Sequence, residues 1–162
     1  MPEMTTLGWF HTVMGIIALS SGGYTLYRHK EILLQNRSGQ IYLAATFITA
    51  ATALAIYQHG VFGPGHVLAV LTLGALAGGT LAGSTGLFGK WGRYRCALGY
   101  SATLLFHSIP AVTDGLLRLP GGDPVLTSIE DPVMGMAYLV LLVLFLVGIT
   151  VQMRWIRRQQ NG

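Results

Sequence analysis

The sequence predicts an all-α polytopic membrane protein with five transmembrane helices, a compact core of four and a peripheral fifth. Three observations carry that reading. Hydrophobic residues make up 52% of the 162 and charged residues only 10%, whereas soluble domains carry about a quarter charged. The apolar residues gather into runs of roughly 20, the length of helix that crosses a hydrocarbon core. No run alternates apolar and polar residues as a barrel strand would. The chain reads as a single transmembrane domain over 1–162, with approximate spans 7–27, 41–57, 66–87, 96–112 and 133–153.

The first run, from Leu7, follows Glu3 without any Lys or Arg, so it lacks the basic start of a cleavable signal peptide. Gly8, His11, Gly15, Leu19 and Gly22 recur along it at three- and four-residue spacing and share one face. A basic hinge, RHKEILLQNRSGQ, leads to the second run, which is rich in Ala and Thr. An uncharged turn with Gln58-His59-Gly60 and Gly63-Pro64-Gly65 precedes the third. There Gly74, Gly78, Ala82 and Gly86 form one small-residue ladder, and Ala75, Gly79 and Gly83 form another beside it. Such ladders admit two readings, close helix packing or room for a flat cofactor, and packing is the commoner use.

The fourth run, from Cys96 to Val112, holds His107 and, three residues later, Pro110. A helical proline frees the carbonyl one turn back, here that of Phe106, and usually kinks the axis. The helix is expected to break at Thr113-Asp114-Gly115, opening a loop to Pro132 in which Asp114 and Arg118 are spaced to pair. The fifth run, LVLLVLFLVGI at its centre, is bulky and aliphatic, as a lipid-facing helix is. Met134 and Met136 open it, and with Met14 they read as apolar filling.

Charge placement predicts orientation. Arg28, Lys30, Arg37, Lys90, Arg93, Arg95, Arg154, Arg157 and Arg158 fall on one side of the spans, and Arg118 alone on the other. The positive-inside rule then puts the C-terminus in the cytoplasm and the N-terminus outside, in a bacterial inner membrane. Trp9, Trp91 and Trp155 lie near the expected interfaces. Basic residues at span ends, rather than in a patch interleaved with aromatics, do not form a nucleic-acid footprint. The single cysteine, Cys96, excludes an internal disulfide and reads as a reduced thiol at the membrane edge.

The histidines supply the candidate chemistry. His11 lies four residues into the first run, about 6 Å deep, and His107 five residues before the end of the fourth, about 7.5 Å deep. His66 stands at the outer mouth of the third run, His59 in the turn before it, and His29 among cytoplasmic charges. One buried histidine is most simply a ring satisfied by a backbone carbonyl. Two at matched depth point to a site, because polar rings inside a membrane are costly. Neutral imidazoles on facing helices can ligate haem b, copper or zinc. The same rings can relay protons or hydrogen-bond a quinone. His11, His107 and His66 are the expected cofactor-binding residues, with His59 joining them in a metal set. There is no GxSxG, HExxH, CxxC or phosphate-binding loop, so hydrolase, protease and ATPase readings find no support. The expectation is a small cytochrome-like redox protein; the alternative is a non-catalytic accessory or assembly subunit of a membrane complex that handles copper.

HTVMGIIALSSGGYTL, followed by NRSGQIYL, resembles the opening of the DUF2306 family of bacterial integral membrane proteins. SATLLFHSIPAVTDGLLRLP is similar to a later stretch of related membrane proteins. The resemblance spans most of the first four helices and directs attention to His11, Gly15, Arg37, Gly39, Tyr42, His107, Pro110 and Arg118. The chain departs from the motif at Asn36, where histidine is usual. What it implies is a fold; it transfers no activity.

Overall fold

A computed structural model describes residues 5–56, 62–86, 88–119 and 123–161. Among these the chain forms five α-helices: α1 (Thr6–His29), α2 (Arg37–Leu54), α3 (Pro64–Ser84), α4 (Gly92–Arg118) and α5 (Pro132–Asn161). A 3-10 turn, Gly89–Trp91, leads into α4.

Local chemistry sets the ends. Thr5 caps α1 by accepting the Gly8 N–H at 3.1 Å. Lys30 closes the helix in the left-handed conformation, φ 64°, with its N–H on the Leu26 carbonyl. Pro64 opens α3, where a missing N–H costs nothing.

Three expected boundaries move. The second helix starts at Arg37 rather than near Ile41. The chain before it folds so tightly that a side chain on Gly39 would collide with the Leu33 carbonyl. The fourth helix does not break at Thr113-Asp114-Gly115 but continues through Pro110 to Arg118. The Thr113 hydroxyl bonds the Ile109 carbonyl and the Tyr138 hydroxyl, both at 2.8 Å, so a turn-forming residue is satisfied inside the helix and against α5. The fifth helix runs to Asn161, well past Met153.

Consecutive helices are neighbours: α1 packs on α2, α2 on α3 and α3 on α4, and α4 closes the ring against α1. α5 lies on the outside of α4. The core is built from Ala18, Ile32, Tyr42, Leu43, Ala45, Cys96 and Tyr100. Cys96 is a free thiol, and its position in the first turns of α4 places it in this core near the basic end. The Tyr42 hydroxyl meets Thr103 Oγ1 and donates to the Tyr100 carbonyl at 3.1 Å, and the Tyr100 hydroxyl meets Thr80 Oγ1 at 2.9 Å.

The two glycine ladders of α3 part company. A side-chain carbon on Gly79 or Gly83 would press on Tyr100 or Cys96, and one on Gly99 would lie 2.8 Å from the Ala75 carbonyl oxygen. That ladder is the α3–α4 contact. Gly74 and Gly78 of the other ladder have nothing within 4 Å of such a carbon.

Polarity is distributed inside out. Thr25, Thr46, Thr72, Thr103 and Gln152 are buried, while Ile16, Phe47, Val70, Leu98 and Val143 are exposed. α3 and α5 are long and apolar enough to cross a membrane, by length and composition. The basic residues before α2, around the 3-10 turn and at the end of α5 occupy one end of the bundle. There Glu31, 3% exposed, takes a two-pronged ion pair from Arg93, with Nε 3.0 Å from Oε2. The Glu31 carboxylate raises the guanidinium above its already high range. The guanidinium also stacks on Trp155 at 5.3 Å.

Candidate functional site

The end of the bundle opposite the basic residues collects the start of α1, the end of α2, the start of α3 and the later turns of α4. The small face of α1 turns inward there. A side-chain carbon on Gly15 would touch Thr49 at 3.7 Å, and one on Gly22 would collide with Tyr42 and Leu104. His11, on that same face, therefore points at α2. Its Nδ1 lies 3.0 Å from Thr52 Oγ1, and the ring also faces the Thr49 carbonyl.

The direction of that hydrogen bond follows from the inventory of protons. The Thr52 hydroxyl donates its one hydrogen back along α2, to the Ile48 carbonyl at 2.8 Å or the Thr49 carbonyl at 3.0 Å. It is left as an acceptor toward His11, so the His11 Nδ1 carries the proton. In the neutral ring Nε2 then bears a free lone pair, the atom a metal ligand uses.

His107 enters from α4, 7% exposed. α4 packs against α1, the helix that carries His11. The His107 Nε2 is fully buried and has no hydrogen-bond partner, and the same holds for Thr49 Oγ1. Buried polar atoms are nearly always satisfied, and each orphan costs about 1–3 kcal/mol. Both lie at the end of the bundle that holds His11, with its free lone pair. Asp114 lies seven residues after His107, on the same stripe of α4, and its charge reaches His11. It pairs with Arg118 at 3.3 Å, as the spacing predicts.

The other expected residues fall differently. His66 stands in the first turn of α3, buried, with its Nδ1 accepting the Gly63 N–H at 3.1 Å and its ring 5.0 Å from that of Phe62. Accepting at Nδ1 leaves the neutral ring's proton on Nε2, which suits a helix cap better than a ligand. His59 lies outside the described residues, and His29 is exposed. Among the described residues no three His, Cys, Asp or Glu side chains lie close enough to hold a metal ion. Within those residues His11 and His107 have no third such side chain beside them. Neither of two clefts, one between α1 and α2 at the basic end and one between α4 and α5, is lined by either ring.

Sequence reasoning identified both imidazoles but missed Thr49 and Thr52. Their signal is present in hindsight: on α2 they lie at the level of Gly15 and His11, one turn apart, where the α1 face is smallest. No protein-family model, no curated protein and no solved structure matches this chain.

Proposed function

We propose that the chain is a five-span protein of a bacterial inner membrane, with the basic end of the bundle in the cytoplasm. Its function in this reading is redox chemistry at a haem b or metal ion held between His11 and His107. Support for the membrane comes from the inside-out polarity and from the length and apolar composition of α3 and α5. An aqueous exterior of this kind would be an aggregation surface. Orientation rests on the concentration of basic residues at one end.

The observation that carries the site is the buried, unpartnered His107 Nε2 beside His11, whose own Nε2 is freed by the bond to Thr52. A cofactor iron or a soft ion such as Cu(I) accepts two neutral imidazoles. When bound, such a group supplies one-electron chemistry. The protein's part is to keep both rings neutral and oriented and to exclude water. Asp114, at the rim of the same stripe and paired with Arg118, sets the negative charge at the outer edge of this end. The test is the cofactor content of protein purified in mild detergent from haem-replete cells. Haem or copper near one equivalent is expected, and neither at any significant level overturns the reading.

A second reading is an accessory subunit that passes copper to a partner membrane protein. A site made by two histidines fits it, because such a site would release its ion more readily than a closed one. So does the bare aliphatic face of α5, with Leu139, Val143 and Val147 exposed. A stable complex after mild solubilisation, containing one other membrane protein, is its expected result. A quinone remains the natural electron partner of the first reading.

A further inference from the structure

Between α4, α5 and the end of α1 runs a cleft of about 730 Å³, open to the side of the bundle. At the basic end it is lined by Lys30, Arg154 and Arg158. Nothing acidic lines it, and Glu31, the acidic neighbour in sequence, is committed to Arg93. Lys30 is fixed there: its backbone is in the left-handed conformation, its ammonium donates to the Tyr27 carbonyl at 2.9 Å, and its own carbonyl accepts from Gln152 of α5 at 2.9 Å. Beyond these cations the lining is mainly apolar up to Leu141, apart from Gln152, Ser101, which is bonded to it, and Ser108.

The length of the apolar part identifies the occupant. From Val151 back to Leu141 is ten residues of α5, about 15 Å of helix, which is one leaflet of a hydrocarbon core about 30 Å thick. Three cations at one end of a leaflet-length apolar channel match an anionic headgroup followed by an acyl chain. We infer that this cleft is a binding site for one anionic phospholipid of the cytoplasmic leaflet, with its phosphate at Lys30, Arg154 and Arg158 and one chain lying between α4 and α5. The inference rests on the membrane reading above and is independent of the histidine site. Gly148 lies in the cleft wall, and no atom occupies the space within 4 Å of where its side chain would begin, so the channel can be plugged there without disturbing the core.

The test is native mass spectrometry of detergent-purified, lipid-stripped protein titrated with phosphatidylglycerol or phosphatidylcholine of identical chains. The first phosphatidylglycerol should be retained at least roughly tenfold more tightly, since each basic residue adds attraction at the headgroup level. Replacing the three cations together (K30Q, R154Q and R158Q) should abolish the preference. Gly148→Leu, which leaves every charge in place, should weaken retention of that first lipid by a similar factor, with unchanged helix content by circular dichroism. Equal retention of the two lipids, or full retention in Gly148→Leu, overturns the inference while leaving the membrane reading intact. Protein that stays in solution without any detergent overturns both.

Discussion

His11 of α1 and Thr52 of α2 are joined by a 3.0 Å contact between Nδ1 and Oγ1, and this bond decides which nitrogen of the histidine is free. Thr52→Val keeps the shape of the side chain and removes the acceptor. The His11 ring then loses its fixed tautomer but not its place. A metal-bound histidine stripped of its supporting partner usually loses about 10- to 100-fold in metal affinity. That loss, measured by competition with a chelator, should come with a stability loss of about 1–3 kcal/mol for the unpaired Nδ1–H. Unchanged affinity would return the bond to a purely structural role.

The depth of His11 and His107 could be counted along their helices from the sequence; the threonines around His11 could not. Threonine is ordinary in an apolar helix, and only the inward face of α1 marks Thr49 and Thr52 out. The same holds for the Glu31–Arg93 pair, whose members are 62 residues apart and look like members of separate basic hinges. Five helices followed from five apolar runs. The end of α4 did not, because Thr113 finds partners in Ile109 and in Tyr138 of another helix, and local turn propensity yields to them. Which glycines pack was likewise a matter of helix rotation, invisible until α4 is placed.

That rotation is tested by two glycines. Gly99→Ala puts a methyl group 2.8 Å from the Ala75 carbonyl oxygen and 3.0 Å from Gly79 Cα, against backbone that cannot give way. The α3–α4 contact must open, at a cost of about 1–3 kcal/mol. Gly78→Ala meets nothing within 4 Å, so it should be neutral or stabilising by up to about 1 kcal/mol through helix propensity. Thermal unfolding in one detergent checks the ordering, and equal effects of the two changes contradict it.

The ion pair at the basic end predicts an asymmetry. Arg93→Ala leaves a buried carboxylate unpaired, a loss of about 3 kcal/mol or more. Glu31→Gln leaves a guanidinium that is 35% exposed and still rests on Trp155, so its loss should be nearer 1 kcal/mol. The raised Arg93 pKa means its share of the stability is present below its unfolded pKa and disappears only above its folded one. An arginine keeps its proton throughout the accessible range, so the difference between the two variants should not vary between neutral and mildly alkaline pH. Unfolding midpoints at two pH values measure this.

Membrane orientation is open to labelling. In a Cys96→Ser background, Gln35→Cys lies between α1 and α2 at the basic end, and Thr127→Cys lies in the segment between α4 and α5. Both positions are exposed. A membrane-impermeant maleimide should label position 127 on intact spheroplasts and position 35 only after permeabilisation. Labelling of both from the same side would break the five-span topology.

The shared site is tested most directly by the visible and electron paramagnetic resonance spectra of purified protein, native and with either histidine replaced. With one group held between the two rings, His11→Ala and His107→Ala should each abolish or shift the same signal: a Soret band for haem, or a two-nitrogen signature for oxidised copper. His29→Ala, at the opposite end of the bundle, should leave it unchanged. A signal that survives both single replacements, or responds to only one of them, would contradict a site made by His11 and His107 together.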